Sequence, residues 1–345
     1  MNFLVFGAGA IGTYIGGSLA MAGHKVVFLE RPEVAALLQQ RDLRLCIDGV
    51  EHRLASPDVA ESISESLTRG PYDIVIFAIK SNDTKAALDD LAPFALQGLL
   101  PPFLCLQNGV ENEPALETIL GSNQVIAGTV TSAIGRNGPG DIVLERKRGV
   151  GVAAGHPLSL PVAEIFSNAG LNAQLFTRPD DMKWSKMITN LLANASSAIL
   201  NMTPKEIFTH PKLFRLEIAQ MREALDVMAA QHIQVVNLPG TPVRLLAFAV
   251  RSLPYGISRP LLARAVGSGR GGKMPSLHID LYSARRNSEV DYLNGAVVRF
   301  GKRLGVPTPV NHFLNQTLQA LVDGTLPLEM YSRQPQKFIS QIPAG

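Results

Sequence analysis

The sequence predicts an α/β protein with a doubly wound parallel sheet in its N-terminal part and an all-helical C-terminal part. Short apolar, strand-like runs alternate with helical segments as far as residue 176, which is the pattern of parallel strands joined by helices. Beyond Pro179 nearly every segment has helical spacing instead. The predicted boundaries are 1–178 for the sheet domain, 179–331 for the helical domain and 332–345 for a flexible tail.

Length and composition are those of a soluble globular enzyme. The 345 residues suit two domains, 46% of them are hydrophobic and 18% are charged. A net charge of +3 is too small to indicate nucleic acid. Cys46 and Cys105 lie in apolar runs and lack the spacing of a metal site or a disulfide framework. We therefore expect a cytoplasmic protein with two reduced cysteines and no metal.

The first 23 residues carry no charged side chain, but they do not read as a membrane segment. Six glycines would weaken a spanning helix, and the basic start of a signal peptide is missing. A strand, a glycine-rich turn and a helix explain the same composition better. We expect no membrane partner.

The first element is a strand, Asn2 to Phe6, followed by a GAGAIG turn and a helical segment that stops at Gly23. In this context GxGxxG is the dinucleotide-binding fingerprint of a Rossmann-type domain. The first glycine permits the tight turn, the second lets the backbone approach a pyrophosphate, and the third lets helix and strand pack closely. The predicted cofactor-binding residues are Gly7, Ala8, Gly9, Ala10, Ile11 and Gly12.

The second strand, Lys25 to Leu29, is followed by two residues that favour different cofactors. A carboxylate such as Glu30 usually bonds the ribose diol of NAD, whereas Arg31 would pair with the 2′-phosphate of NADP. We favour Arg31 and NADP(H), with Glu30 turned away.

Two later strands deliver polar residues at their carboxyl ends. Lys80 follows the run 72–79, and Asn108 follows the run 103–106. Ligands of open parallel sheets bind at those ends, so both residues are placed to contact cofactor or substrate. An ordinary loop role is the alternative for each.

The next segment, 125–152, has β character and is broken by a hairpin loop at 135–140. A helix at 158–168 and a last strand at 173–176 complete the first domain. The predicted helices of the second domain are Asp180 to Asn201, Lys212 to Gln231, Val243 to Val250, Leu281 to Leu304 and Val310 to Val322.

The helix Asp180 to Asn201 carries an unusual polar stripe. Its members, spaced to share one helix face, are Lys186, Asn190, Asn194, Ser197 and Asn201. Each asparagine costs roughly 0.5 kcal/mol against alanine in a helix interior, so helix stability did not select them. The stripe suits a small polar ligand, and it equally suits side chains that bond neighbouring loops.

The stretch from Arg244 to Lys273 is basic and contains no acidic residue. Because it lacks interleaved aromatic residues, nucleic acid is its least favoured partner; an anionic ligand, a membrane surface or a subunit are the others. Lys273 and Ser276, in or beside the flexible run GSGRGGKMPS, are the members connected to a site. Glu289 stands near the start of a helix, where acids are also common caps.

These residues together resemble the ketopantoate reductase (2-dehydropantoate 2-reductase) family over roughly residues 1–322. The matching pieces are GAGAIG, the lysine of FAIKS, QNGVEN, the lysine and asparagines of KMITNLLAN, MPSLHIDL and SEVDYLNG. The resemblance implies a Rossmann domain, a helical domain like that of 6-phosphogluconate dehydrogenase, and a cleft between them. It also implies NADPH-dependent reduction of 2-dehydropantoate to pantoate, a step of pantothenate and coenzyme A biosynthesis.

The family pattern implies roles for the residues already singled out. Lys186 would protonate the new alcohol oxygen, and Glu289 would support its charge or orient the substrate. The implied substrate-binding residues are Asn108, Asn190, Asn194, Ser276 and Lys273. The implied dinucleotide-binding residues are the glycine turn, Arg31, Lys80, Asn108 and Glu289.

Departures from the family pattern lie on the substrate side, among them a longer basic loop before Met274 with one extra residue between Ser276 and Glu289. Lys273 replaces an asparagine of better-known members, and Pro204 replaces another. A reductase of a different branched 2-oxo acid therefore fits as an alternative. A non-catalytic NADP-binding sensor and an anion-binding protein are the alternatives from other classes. Apolar surface in the helical half is compatible with a homodimer.

Overall fold

The computed structural model describes residues 1–270, 273–283 and 286–342, without the side chains of 265–270. The chain divides into two compact units. The first unit is Met1–Lys183 with Leu238–Thr241, and the second is Trp184–Asn237 with Pro242–Gly345. Inside the first unit, the Thr131 hydroxyl donates to the Pro239 carbonyl at 2.8 Å, which ties the short insert to the sheet domain.

The first unit is built on parallel strands, as the apolar runs predict. The strands in chain order are β1 (Asn2–Phe6), β2 (Lys25–Leu29), β3 (Leu43–Ile47), β4 (Val50–Leu54), β5 (Asp58–Ala60), β6 (Ile74–Phe77), β7 (Phe103–Cys105), β8 (Val125–Val130), β9 (Ala133–Gly138), β10 (Asp141–Arg146), β11 (Val150–Ala153) and β12 (Ala173–Phe176).

These strands form two sheets among the described residues. The larger has the order β12-β11-β8-β7-β6-β1-β2-β5 and is parallel except where β11 meets β8. The smaller has the order β4-β3-β10-β9. The hairpin predicted at 135–140 is present but tighter, because β9 continues to Gly138.

Helices cover the larger sheet. They are α1 (Ala10–Met21), α2 (Pro32–Gln39), α3 (Ile63–Thr68), α4 (Thr84–Leu96), α5 (Asn112–Leu120) and α6 (Ser159–Asn168). Two adjacent glycines let α1 pack closely on both sides. A Cβ at Gly16 would overlap Phe28 of the larger sheet, and one at Gly17 would overlap Leu45 of the smaller.

The strand order places a crevice at the carboxyl ends of β1 and β6. From β1 the chain runs outward through β2 to β5, and then returns to the other side of β1 with β6 and β7. Such a reversal is the switch point where open α/β sheets bind ligands. The doubly wound sheet predicted from the sequence is confirmed.

The second unit is helical throughout its named elements, as predicted. Its helices are the end of α7 (Pro179–Leu191), α8 (Asn194–Leu200), α9 (Pro204–Thr209), α10 (Pro211–Ala230), α11 (Val243–Ser252), α12 (Tyr255–Arg270), α13 (Ser276–Leu281), a π-helical turn (Asp291–Gly295), α14 (Ala296–Leu304), α15 (Pro309–Val322) and α16 (Pro335–Ile339). No helix among the described residues combines the length and the apolarity needed to cross a bilayer.

The prediction of one helix from Asp180 to Asn201 is wrong. The helix breaks at Ala193, whose φ of 51° is left-handed, and restarts as α8. No proline or glycine announces this break. It is stabilised by the fully buried Glu217, whose carboxylate accepts from the Ala193 N–H at 2.7 Å and the Ser196 hydroxyl at 2.5 Å. Ser197, predicted on the polar stripe, is fully buried.

Two other boundaries differ from prediction. The predicted helix from Leu281 does not run through 286–289, which carry no helix, and 284–285 lie outside the described residues. The run predicted as a flexible loop is helical at 267–270 as the end of α12, and Gly271 and Gly272 lie outside the described residues. Residue spacing alone could not predict either of these helix boundaries.

The predicted flexible tail at 332–345 is also corrected over part of its length. Residues 335–339 form α16, and Phe338 is fully buried, with ring centroids 5.1 Å from Phe313 and 5.3 Å from Tyr331. Aromatic burial of this kind orders a terminal segment. Residues 343–345 lie outside the described residues.

Candidate functional site

The glycine turn has the shape of an anion cradle. Gly7 takes a φ of 101°, which glycine adopts readily, and Gly9 is the residue before α1. The first turn of α1 contains no acidic residue and no side-chain cap. Its first N–H groups therefore face outward with the positive end of the helix dipole, which suits a pyrophosphate.

Two glycines of the turn have different physical roles. A Cβ at Gly12 would overlap the Gly7 carbonyl oxygen, whereas a Cβ at Gly9 would meet no atom of the protein within 4 Å. Gly12 is thus required by the protein's own packing. Gly9 leaves open space where a ligand can approach the backbone, so the turn fits the dinucleotide that the motif implies.

We expect Gly12→Ala to lower the free energy of unfolding by about 1–3 kcal/mol, because an added methyl group must displace backbone. Gly9→Ala is the matched control and should stay within about 0.5 kcal/mol of wild type. It should still weaken dinucleotide binding by roughly tenfold or more, since the methyl group fills the open space. Urea unfolding and nicotinamide fluorescence titration measure the two effects. Equal stability of the two variants would contradict the assignment.

Glu30 does not turn away from the cofactor turn, and that expectation is wrong. Its Oε1 accepts from the Ala8 N–H at 2.6 Å, and its Oε2 accepts from the Arg31 N–H at 3.2 Å. Arg31 is exposed at the start of α2. The carboxylate thus lies against the glycine turn, at the edge of the sheet where such folds read the adenosine ribose.

Lys80 and Asn108 follow β6 and β7, the neighbouring strands on the other side of β1. Lys80 is half-buried at the start of a short turn, and Asn108 is half-buried in the loop after β7. Parallel neighbours end at the same edge, so the glycine turn, Glu30, Lys80 and Asn108 share the carboxyl edge of this sheet.

Buried amides join the loops after β6 and β7. Gln107 donates from Nε2 to the Ile79 carbonyl at 3.0 Å and to the Thr84 hydroxyl at 2.8 Å. Asn112 donates from Nδ2 to the Asn108 carbonyl at 2.6 Å and to the Ser81 hydroxyl at 3.2 Å. These bonds fix the backbone on which Lys80 and Asn108 stand.

A buried ion pair, which sequence reasoning missed, supports the same loop. The Lys183 ammonium lies 2.6 Å from Glu113 Oε1 and also donates to the Gln107 carbonyl at 2.7 Å and the Gly128 carbonyl at 3.3 Å. Only 5% of the lysine side chain and 9% of the glutamate side chain are exposed. The two residues are far apart in the chain, so their spacing cannot predict that they pair. Only the apolar neighbours of Lys183 indicated that its side chain is buried.

Cys105, at the end of β7, lies in the same buried region. Burial raises the pKa of its thiol well above the usual value, and the negative charge of Glu113 raises this pKa further. A thiol in such surroundings stays protonated and unreactive. The expectation of a core position is confirmed for Cys105. Cys46 is also a free thiol but is only half-buried, so a core position is wrong for it.

In the second unit, part of the polar stripe predicted on the helix Asp180 to Asn201 is present. Lys186 and Asn190 are half-buried on α7, and both stand before the helix break. The Asn194 side chain reaches back across the break, because its Nδ2 donates to the Asn190 carbonyl at 2.9 Å. Asn190 and Asn194 thus remain neighbours although they belong to different helices.

Asn194 uses both ends of its amide within the protein. Its Oδ1 accepts from the Leu277 N–H at 3.1 Å, and its Nδ2 lies 3.4 Å from the Ser276 hydroxyl. Only 3% of Asn194 is exposed, whereas Ser276 is exposed. The amide therefore holds the start of α13 beside α8, which places Ser276 next to the asparagine pair.

The two remaining predicted residues differ in exposure. Lys273 is exposed three residues before Ser276. Glu289 is 7% exposed and directly precedes the helical segment that contains the π-helical turn, where its carbonyl accepts from Tyr292 and Leu293. Each unit thus carries part of the predicted set: the glycine turn, Arg31, Lys80 and Asn108 lie in the first unit, and Lys186, Asn190, Asn194, Lys273, Ser276 and Glu289 lie in the second.

A Rossmann-type sheet with a glycine cradle, followed by a helical unit that carries lysine and asparagine side chains, is the organisation of a dinucleotide-dependent oxidoreductase. Residues 3–155 match the family described as ketopantoate reductase PanE/ApbA, and residues 180–322 match its C-terminal domain. The chain belongs to the ketopantoate reductase family.

Relatives of known name are similar over nearly the full length. A 2-dehydropantoate 2-reductase of Lactococcus lactis subsp. lactis is 26% identical over 325 residues, which cover 93% of this chain and 97% of the relative. A PanE/ApbA family ketopantoate reductase of Ralstonia eutropha JMP134 superposes with a TM-score of 0.78 at 27% identity, covering 94% of this chain and 99% of that one.

A second solved structure shares the fold. It is D-mandelate dehydrogenase with NADH and anilino(oxo)acetate, at a TM-score of 0.76 and 23% identity, covering 94% of this chain and 99% of that one. At this identity the likeness concerns the fold alone.

Proposed function

We propose that this protein reduces 2-dehydropantoate to pantoate, or reduces a closely related branched 2-oxo acid. The observation that carries the proposal is the match of both halves to the family, with Lys186 on α7 within the matched C-terminal part. Pantothenate and coenzyme A biosynthesis in the cytoplasm is the setting expected of that reaction.

The first unit would bind the dinucleotide. The N–H groups at the start of α1 would accept the pyrophosphate, with Lys80 and Asn108 at the same sheet edge. When bound, the reduced nicotinamide supplies a hydride to the ketone carbon of the substrate. The sequence predicts NADP(H) from Arg31 on the assumption that Glu30 faces away. Because Glu30 contacts the glycine turn, NADPH and NADH both enter the tests.

The second unit would supply the proton. As negative charge develops on the ketone oxygen, the Lys186 ammonium would stabilise it and donate a proton, which yields the alcohol. Glu289 would support the ammonium or orient the substrate.

Asn190 and Ser276 would bind the substrate's carboxylate and hydroxyl. Asn194 would position both, because its own amide is already bonded within the protein.

The proposal is tested with a panel of 2-oxo acids and both reduced dinucleotides, followed by the loss of nicotinamide absorbance. We expect 2-dehydropantoate to have the highest kcat/KM, with linear and aromatic 2-oxo acids at least tenfold lower. A different branched acid at the top would support the alternative that Lys273 and Pro204 suggest. Tight dinucleotide binding without turnover of any acid would instead favour the sensor and contradict the reductase.

A further inference from the structure

We infer that Glu30 makes this protein prefer NADH to NADPH, an inference that rests on the proposed dinucleotide site. The Glu30 carboxylate lies at the glycine turn. Its two contacts, to the N–H groups of Ala8 and Arg31, are both made to backbone, so the carboxylate is fixed at the glycine turn by the fold itself.

The Glu30 carboxylate can still accept hydrogen bonds from a ligand. A carboxylate has two oxygens with about four acceptor positions, and the two backbone N–H groups use two of them. Each oxygen of Glu30 can therefore accept one more hydrogen bond. A vicinal ribose diol offers two O–H donors, which matches this remaining capacity. A 2′-phosphate offers only acceptor oxygens and negative charge.

A 2′-phosphate would have to be held at the start of α2. Pro32 occupies the first turn of α2 and has no N–H to donate. Glu33, in the same turn, adds a second carboxylate close to Glu30 in the chain. Arg31 is the cation in this segment, and its side chain is exposed, where salt screens its attraction. The local charge of residues 30–33 is thus negative overall.

The inference is tested by binding rather than turnover, with NADH and NADPH titrated into the protein and followed by nicotinamide fluorescence without any 2-oxo acid. We expect the Kd for NADH to be at least tenfold below that for NADPH. Raising the salt concentration should bring the two Kd values closer together, because screening weakens the repulsion between Glu30 and the 2′-phosphate.

Glu30→Gln is the decisive variant. The glutamine oxygen can still accept from the Ala8 N–H, so the turn is kept while the charge is removed. We expect the ratio of the Kd for NADPH to the Kd for NADH to fall by about tenfold, toward one. Glu33→Gln, which removes a charge of the same sign from the exposed helix surface, should change the ratio by less than about threefold.

Three outcomes would overturn the inference: a wild-type ratio below threefold, a preference for NADPH, or a Glu30→Gln ratio equal to that of wild type. In the second case loss of NADPH binding in Arg31→Ala would make Arg31 the determinant. Failure of the proposed function appears differently, as dinucleotide binding of either preference with no 2-oxo acid reduced.

Discussion

Lys186→Ala is expected to lower kcat by about a thousandfold with 2-dehydropantoate, while the dinucleotide Kd changes less than about threefold. Removing a general acid typically costs two to four orders of magnitude, and Lys186 would also stabilise the developing oxyanion. Because the lysine belongs to the second unit and the glycine cradle to the first, its loss leaves the cradle intact.

Two controls separate chemistry from structure in this experiment. Lys212→Ala removes an exposed lysine at the start of α10 and should leave kcat unchanged. Small primary amines added to Lys186→Ala should restore part of the rate, since they can occupy the vacated space and donate a proton. A kcat within threefold of wild type would remove Lys186 from the mechanism.

Lys183→Met is expected to lower the free energy of unfolding by about 3–5 kcal/mol, the typical effect of leaving one partner of a buried ion pair alone. The variant leaves the Glu113 carboxylate without its cation and removes the lysine donor from the carbonyls of Gln107 and Gly128. Urea unfolding followed by circular dichroism gives the change from the transition midpoint and slope.

The double variant Lys183→Met with Glu113→Leu shows how much of this loss comes from the unpaired Glu113 charge. Replacing both partners with apolar residues removes the buried charge, so the double variant should be more stable than Lys183→Met alone. Arg178→Met is the matched control. Its partner Asp181 is 3.6 Å away and the arginine side chain is 52% exposed, so we expect a loss below about 1 kcal/mol. Similar losses in Arg178→Met and Lys183→Met would show that burial does not set the strength of the pair.

The fold could be predicted from the sequence because its signals are local. The GAGAIG turn lies between a strand and a helix, and the strand ends place Lys80 and Asn108 by the rule for parallel sheets. The hydrophobic periods of the two halves differ, so the change from sheet to helices was visible without any tertiary information.

The parts that could not be predicted depend on contacts between distant residues. The helix break at Ala193 lacks any local breaker and is stabilised by Glu217, 24 residues along the chain. The direction of the Glu30 side chain is set by its bond to Ala8, 22 residues before it. Sequence spacing could place Asn194 on a helix, but only its bonds to Leu277 and Ser276 reveal a supporting role.

Hydrogen bonds of the Gln107 and Asn112 side chains join the loops after β6 and β7. They limit how this domain can be recombined with the corresponding domains of its relatives. Gln107 and Asn112 each have bonding partners in the segment 79–84, so a graft of either loop alone would leave buried amides facing the wrong neighbours. Segments 79–84 and 107–112 therefore form a single exchangeable block. A chimera that changes this edge of the sheet should transfer both segments together.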